Sequence, residues 1–162
     1  MYLQSFDSQG INSIVDKYSD MVYRLAFART RNKENADDIF QEVFLRYIRK
    51  QPEFENEEHE KAWFIRVTIN CSKNLFSFLA RNSFEEINEN ISEEASPDEI
   101  MDEFLDKLPI DYRTVIHLFY YEKMTMSEIS KTLNKKESTV RMQLTRARRM
   151  LKDIMEEAKI NV

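Results

Sequence analysis

A single glycine, Gly10, in 162 residues constrains this chain more than any motif it carries. Tight hairpins draw on glycine for positive φ, whereas one glycine and three prolines among abundant Leu, Ile, Met, Glu and Lys are the makings of helices. The expected fold class is all-α: two small helical domains joined by an acidic linker, the second with a helix-turn-helix. No run approaches the roughly 20 apolar residues that cross a bilayer. The opening MYLQSFDSQG lacks the basic and apolar regions of a secretory signal. A cytoplasmic protein without stable membrane insertion is therefore expected. Cys71 is the only cysteine, so there is no internal disulfide and no His/Cys cluster for zinc. His59 and His117 lie far apart in sequence and read as surface or packed residues. No metal or cofactor is expected, and no enzyme.

Met124 to Leu151 contains two short apolar-periodic runs with a polar break between them. Ile129 and Leu133 share one helix side; Val140, Leu144, Ala147 and Leu151 share another at spacings of four, three and four. Ser127 is placed to open the first helix, and Ser138 or Thr139 to cap the second. The break at Asn134 to Glu137 is short enough for a helix-turn-helix, whose second helix enters a major groove. From Lys135 to Lys152 there are seven cations against one anion, Glu137, in a chain of net charge -5. A polyanion accounts for that concentration, because Lys and Arg displace condensed counterions from phosphates. A solvated surface beside an acidic neighbour is the plainer alternative.

Toward the amino terminus, Ile11, Ile14, Val15, Tyr18, Val22, Leu25 and Ala26 form the stripe of a helix buried on one face, widened by Met21 and Phe27. The next helix begins at Asn32 or Asn35, holds Asp37 and Asp38 in its first turn and is stopped by Pro52. Ile39, Val43 and Tyr47 form one row, and Phe40, Phe44 and Ile48 a second, more aromatic surface than a small core needs from one helix; a central helix buried on most sides is the plainer alternative. Asp37, Asp38, Gln41 and Glu42 group at its head without a histidine, metal spacing or nucleophile, which argues against catalysis and leaves a polar docking surface or an N-terminal anion bias.

EFENEEHE reads as an acidic loop, with Glu57 to Glu60 candidates to join the following helix, which spans about Lys61 to Arg81. Ala62, Ile65, Ile69, Ser72 and Phe76 mark a narrow buried seam. Trp63, Arg66, Asn70, Lys73, Asn74, Ser77 and Arg81 make a mixed face suited to unstacked bases and phosphates, although a packed tryptophan beside a solvent face accounts for it equally well. Ser83 to Asp106 holds ten anions and no Lys or Arg. Residues 84 to 97 are the expected linker, and Ser96-Pro97 the start of the second domain. Tyr112, Val115, Ile116, Phe119 and Tyr120 are expected on the buried side of a helix that follows Leu108 and starts at Pro109.

NADDIFQEVFLRYIRK followed by AWFIRVTINCSKNL resembles a helical region of bacterial sigma factors of the extracytoplasmic-function group. LPIDYRTVIHLFYYEKMTMSEISKTLNKKESTVRMQLTRARRMLK is similar to their carboxyl-terminal promoter-reading domain, so the resemblance runs from about Tyr18 to Lys152. It implies a region 2-like domain over residues 1–83, a linker over 84–97 and a region 4-like domain over 98–162. Asp38, Gln41, Glu42, Phe44 and Arg46 would then dock on the clamp of core RNA polymerase. Trp63, Arg66, Asn70, Lys73, Asn74, Ser77 and Arg81 would face the -10 element. Lys136, Ser138, Thr139, Arg141, Met142, Thr145, Arg146 and Arg149 would face the -35 element of promoter DNA. The linker would thread near the RNA exit path, in keeping with imitation of nucleic acid.

The resemblance also implies an anti-sigma partner. One departure stands out: where the family carries a dense arginine cluster, this chain has NLFSFLARN, with only Arg81 basic. Ser138 stands where glycine is frequent, and suits a helix start. The expected function is a sigma factor that binds core polymerase and directs promoter-specific initiation. A stand-alone helix-turn-helix regulator that does not join polymerase is the alternative, and an interaction module whose basic helix meets an acidic partner is a third reading.

Overall fold

The structure, a computed structural model, describes residues 8–82 and 103–160. It divides into two compact units, Met1–Arg81 and Asn82–Val162. All regular elements among the described residues are helical. The linker expected at 84–97 and the helix start at Ser96-Pro97 lie outside the described residues.

The first unit contains α1 (Ser8–Thr30), α2 (Lys33–Lys50) and α3 (Glu57–Asn82). Asn32 caps α2, its side-chain oxygen accepting the Asn35 N–H at 2.9 Å, so the cap is the earlier of the two asparagines considered. Asn56 does the same for α3 through the His59 N–H at 2.8 Å, and Glu57 to Glu60 are helical. Lys17 reaches Glu57 and Glu60 at 3.1 Å each, and the Tyr18 hydroxyl donates to Glu60 at 2.6 Å, tying α1 to the first turn of α3. Burial and that hydrogen bond push the Tyr18 phenol above its ordinary range.

Phe64 is the centre of this unit's core and is fully buried. Its ring meets Tyr18 at 4.4 Å, Trp63 at 4.9 Å, Tyr47 at 5.5 Å and Phe44 at 5.8 Å. The seam expected on α3 was too narrow and set to one side. Ile65, Ile69 and Ser72 are buried as expected, but so are Phe64, Thr68 and Cys71, while Ala62 and Phe76 are only partly covered. Spacing alone could not rank Phe64 above its neighbours, because its partners come from α1 and α2.

The second unit opens with a helical turn over 103–106, followed by α4 (Ile110–Ile116), a π-helical turn (His117–Tyr121), α5 (Met126–Leu133) and α6 (Glu137–Ile160). Val115, Leu118, Ile129, Val140, Leu144 and Ala147 form its fully buried core. The π turn changes the period, and with it two expectations. Leu118 and His117 turn inward, His117 stacking on Tyr121 at 5.2 Å, while Tyr120 is 51% exposed rather than buried.

Thr125, not Ser127, caps α5: its hydroxyl accepts the Glu128 N–H at 3.1 Å, and Ser127 lies inside the first turn. The α6 helix starts at Glu137, with the Val140 N–H bonded to the Lys136 carbonyl, so Ser138 and Thr139 sit in its first turn instead of capping it. Where helices often end on a glycine, Arg31, Gln51, Lys123 and Asn134 take positive φ in its place.

Candidate nucleic-acid interface

The outward side of α2 is a stripe. Asp38, Gln41, Leu45 and Ile48 follow one another at three, four and three residues, and all are exposed. Glu42 and Arg46 flank it, joined at 3.1 Å and part-exposed. Leu45 and Ile48 are 43% and 40% exposed, an apolar half that the sequence reading did not include among site residues. Phe44 does not belong to this surface. It is 7% exposed and lies between Phe40 at 4.8 Å and Phe64 at 5.8 Å, so it supports the helix from within. Spacing alone does not separate them, since Phe44 and Leu45 lie three and four residues beyond Gln41; the contact of Phe44 with Phe64 does.

On α3, Arg66, Asn70, Lys73, Asn74, Ser77 and Arg81 are all exposed, and the sequence from Lys61 to Arg81 contains four cations and no anion. Trp63 stands apart from them. It is partly covered and makes edge contacts with Phe64, Tyr47 and Phe54 at 4.9, 5.9 and 5.9 Å. Its packing is that of a core rim. Arg81 donates its Nε–H to the Ser77 carbonyl at 3.2 Å, which lays the guanidinium along the helix. Cys71 is buried, and burial raises its thiol pKa, the signature of a packing residue rather than a nucleophile.

On α6 the buried and exposed sides separate cleanly. Val140, Gln143, Leu144 and Ala147 are buried, whereas Ser138, Arg141, Met142, Thr145, Arg146 and Arg149 are exposed and Thr139 is half-covered. Lys136, just before the helix, is exposed as well. The three-residue turn is closed by Asn134 in the left-handed region and by the Ser130 hydroxyl donating to the Lys135 carbonyl at 2.6 Å. A short α5 therefore braces the first turns of a long cationic helix, as a helix-turn-helix requires. Arg148 points elsewhere, donating its Nε–H to the Tyr120 hydroxyl at 2.6 Å beside an open groove of about 620 Å³ that Leu151 and Met155 also line.

Two family models match the chain in order: "Sigma-70 region 2" over residues 14–82 and "Sigma-70, region 4" over residues 98–151. The chain belongs to the sigma-70 family, in its extracytoplasmic-function group.

Among similar proteins, the ECF RNA polymerase sigma factor SigE of Mycolicibacterium smegmatis is 29% identical over 89% of this chain and 61% of its own length. RNA polymerase sigma factor SigV of Bacillus subtilis is 29% identical over 88% of each. The sigma factor RpoE solved with the anti-sigma factor NepR from Bartonella quintana shares the fold, with a TM-score of 0.77 at 17% identity over 91% of this chain and 98% of that one. A sigma factor is not itself an enzyme. Among the described residues no helix is long and apolar enough to cross a membrane, and no cluster of acidic, histidine or cysteine side chains could hold a metal.

Proposed function

We propose that this sigma factor binds core RNA polymerase through the outward stripe of α2 and selects promoters through the exposed faces of α3 and α6. The match of two sigma-70 regions in their proper order carries this reading. Asp38, Gln41, Glu42 and Arg46 supply the polar part of the docking surface, Leu45 and Ile48 its apolar part, and Phe44 holds the helix from beneath. Arg66, Asn70, Lys73, Asn74, Ser77 and Arg81 face the -10 element, with Trp63 supporting the base of that face. Lys136, Ser138, Thr139, Arg141, Met142, Thr145, Arg146 and Arg149 face the -35 element. Arginine there neutralises phosphates and pairs with base edges, while Ser, Thr and Met adjust the fit.

The working division is residues 1–83 for polymerase docking and the -10 element, 84–97 as linker and 98–162 for the -35 element. The protein acts in the cytoplasm, where core polymerase and promoters are. An anti-sigma factor masks one or both units until a signal releases it, a proposal supported by the anti-sigma complex in which RpoE, a protein of the same fold, was solved.

Run-off transcription with purified core polymerase, the protein and promoter fragments from its own genome tests the reading. Discrete start sites that depend on the added protein are expected. Duplex binding without core binding or new transcripts would return the chain to a stand-alone regulator.

A further inference from the structure

Sulfur is distributed unevenly between the cores and the surface of this chain. Cys71, the only thiol, is buried on α3, and burial raises its pKa, so little thiolate is present to meet an oxidant. Met21 and Met124 are buried, and Met126, Met150 and Met155 are partly covered. Met142 alone among the described methionines is exposed, at 41%. It sits on the outward side of α6, about one turn beyond Ser138 and one turn before Arg146, with Arg141 and Thr145 beside it. The one apolar side chain among these exposed residues is therefore also the most accessible sulfur that the described residues hold.

We propose that Met142 is an oxidation-sensitive modification site, at which two-electron oxidants of the peroxide class weaken -35 binding by converting the thioether to a sulfoxide. The proposal rests on the sigma-factor reading and adds to it a means of control. The sulfur lone pair attacks one oxygen of hydrogen peroxide, and the S–O bond forms as the O–O bond breaks. The proton of the transferred hydroxyl passes to the departing hydroxide, which leaves as water. Methionine loses two electrons and the peroxide gains them. The product replaces a flexible apolar group with a polar one that only accepts hydrogen bonds. Against DNA its oxygen meets phosphate oxygens, which are acceptors too, and the side chain no longer lies favourably on a thymine methyl or a sugar. Within the helix the new oxygen stands one turn from Arg146 and competes with phosphate for the guanidinium N–H groups. The fold is left intact, because the core of this helix is Val140, Leu144 and Ala147 on the other side.

The test treats the full-length protein with hydrogen peroxide and follows oxygen uptake at each methionine by peptide mass mapping. Binding of core polymerase and of a duplex -35 fragment, from a promoter defined by run-off, is measured on the same samples. Met142 should gain one oxygen before Met126, Met150 and Met155. Duplex affinity should then fall roughly 5- to 30-fold, as expected for loss of one apolar contact and weakening of one charge-assisted hydrogen bond. Core affinity and melting temperature should not change. Methionine sulfoxide reductases acting on both sulfoxide epimers should restore duplex binding. Met142→Leu, compared with its own untreated affinity, should pass through the same treatment without loss. A loss in treated Met142→Leu equal to that of wild type, complete oxidation of Met142 with no loss, or earlier oxidation of the partly covered methionines would each overturn the switch. Absence of core-dependent transcripts from the untreated protein would instead remove the sigma-factor reading on which the proposal stands.

Discussion

Helices α2 and α6 are built alike and present different outward faces. Each buries one side, α2 through Ile39, Val43 and Tyr47 and α6 through Val140, Leu144 and Ala147. Their outward sides share nothing. The α2 stripe joins Asp38 and Gln41 to apolar Leu45 and Ile48, which suits a protein surface; α6 presents Arg141, Arg146 and Arg149, which suits phosphates and base edges. The cores beneath also differ, one aromatic around Phe64 and the other aliphatic around Leu118 and Leu144. The contrast teaches that apolar periodicity reports the buried side of a helix, while the nature of the partner has to be read from the opposite side.

The largest expected effect would break the contrast on the α2 side. Asp38→Ala combined with Gln41→Ala should weaken core polymerase binding at least roughly 30-fold, as expected for central polar groups of an interface, and leave duplex binding by the second unit unchanged. Fluorescence titration of core polymerase and of a duplex -35 fragment separates the two. Equal loss in both assays would mean that α2 is not a dedicated docking helix.

The next largest lies on α6. Arg141→Ala and Arg146→Ala should each lower promoter-directed transcription by about 5- to 100-fold with core binding retained. Each should also reduce the slope of log affinity against log salt by about one where the arginine meets a phosphate. Arg141 is already within 3.7 Å of Glu137, an exposed pair of small worth, so Glu137→Gln should change DNA affinity upward rather than downward. A parallel loss of core and promoter binding in the arginine variants would sink the assignment of this helix to DNA.

How far the chain could be read from its residues differs between these two helices. The α6 face was legible almost whole, because its cations and hydroxyls are polar side chains on a helix whose apolar partners mark the other side. The α2 face was legible in its polar half only. Phe44, Leu45 and Ile48 are all apolar, and only the packing of Phe44 against Phe64 shows which of them turn inward. The same limit applied at Tyr120, where the π turn from His117 to Tyr121 shifts the side-chain register and no local residue announces it. Helix starts were misread by one or two positions at α5 and α6 because Thr125 and Lys136 compete with adjacent Ser and Thr for the same geometry.

A smaller effect tests the aromatic core against the aliphatic one. The Tyr18 hydroxyl is buried and donates to Glu60, and its pKa lies above the ordinary value of 10.0. As pH rises past that value the unfolded chain gives up the phenolic proton before the folded chain does. The stability contributed is therefore present below about pH 10 and lost above it. Urea unfolding of the first unit should lose about 1 kcal/mol from this group by pH 11, and Tyr18→Phe should make the decline shallower. Burial raises the Tyr47 phenol in the same direction, so the decline should persist in part in that variant.

The smallest effect separates the scaffold of α2 from its proposed docking face. Gln51 ends the helix with φ 45 and ψ 57, its N–H bonded to the Tyr47 carbonyl at 2.9 Å. A side chain at that backbone geometry carries a steric cost of about 1 kcal/mol that glycine lacks, partly offset by the greater freedom of glycine in the unfolded chain. Gln51→Gly should therefore raise the unfolding free energy by a few tenths to about 1 kcal/mol, measured as an increased urea midpoint at unchanged slope. Core binding should not move, because Gln51 lies beyond the Asp38 to Ile48 stripe. A variant that is more stable yet binds core polymerase less tightly would show that docking needs the loop after α2 to stay as it is, and the interface would have to extend past the helix end.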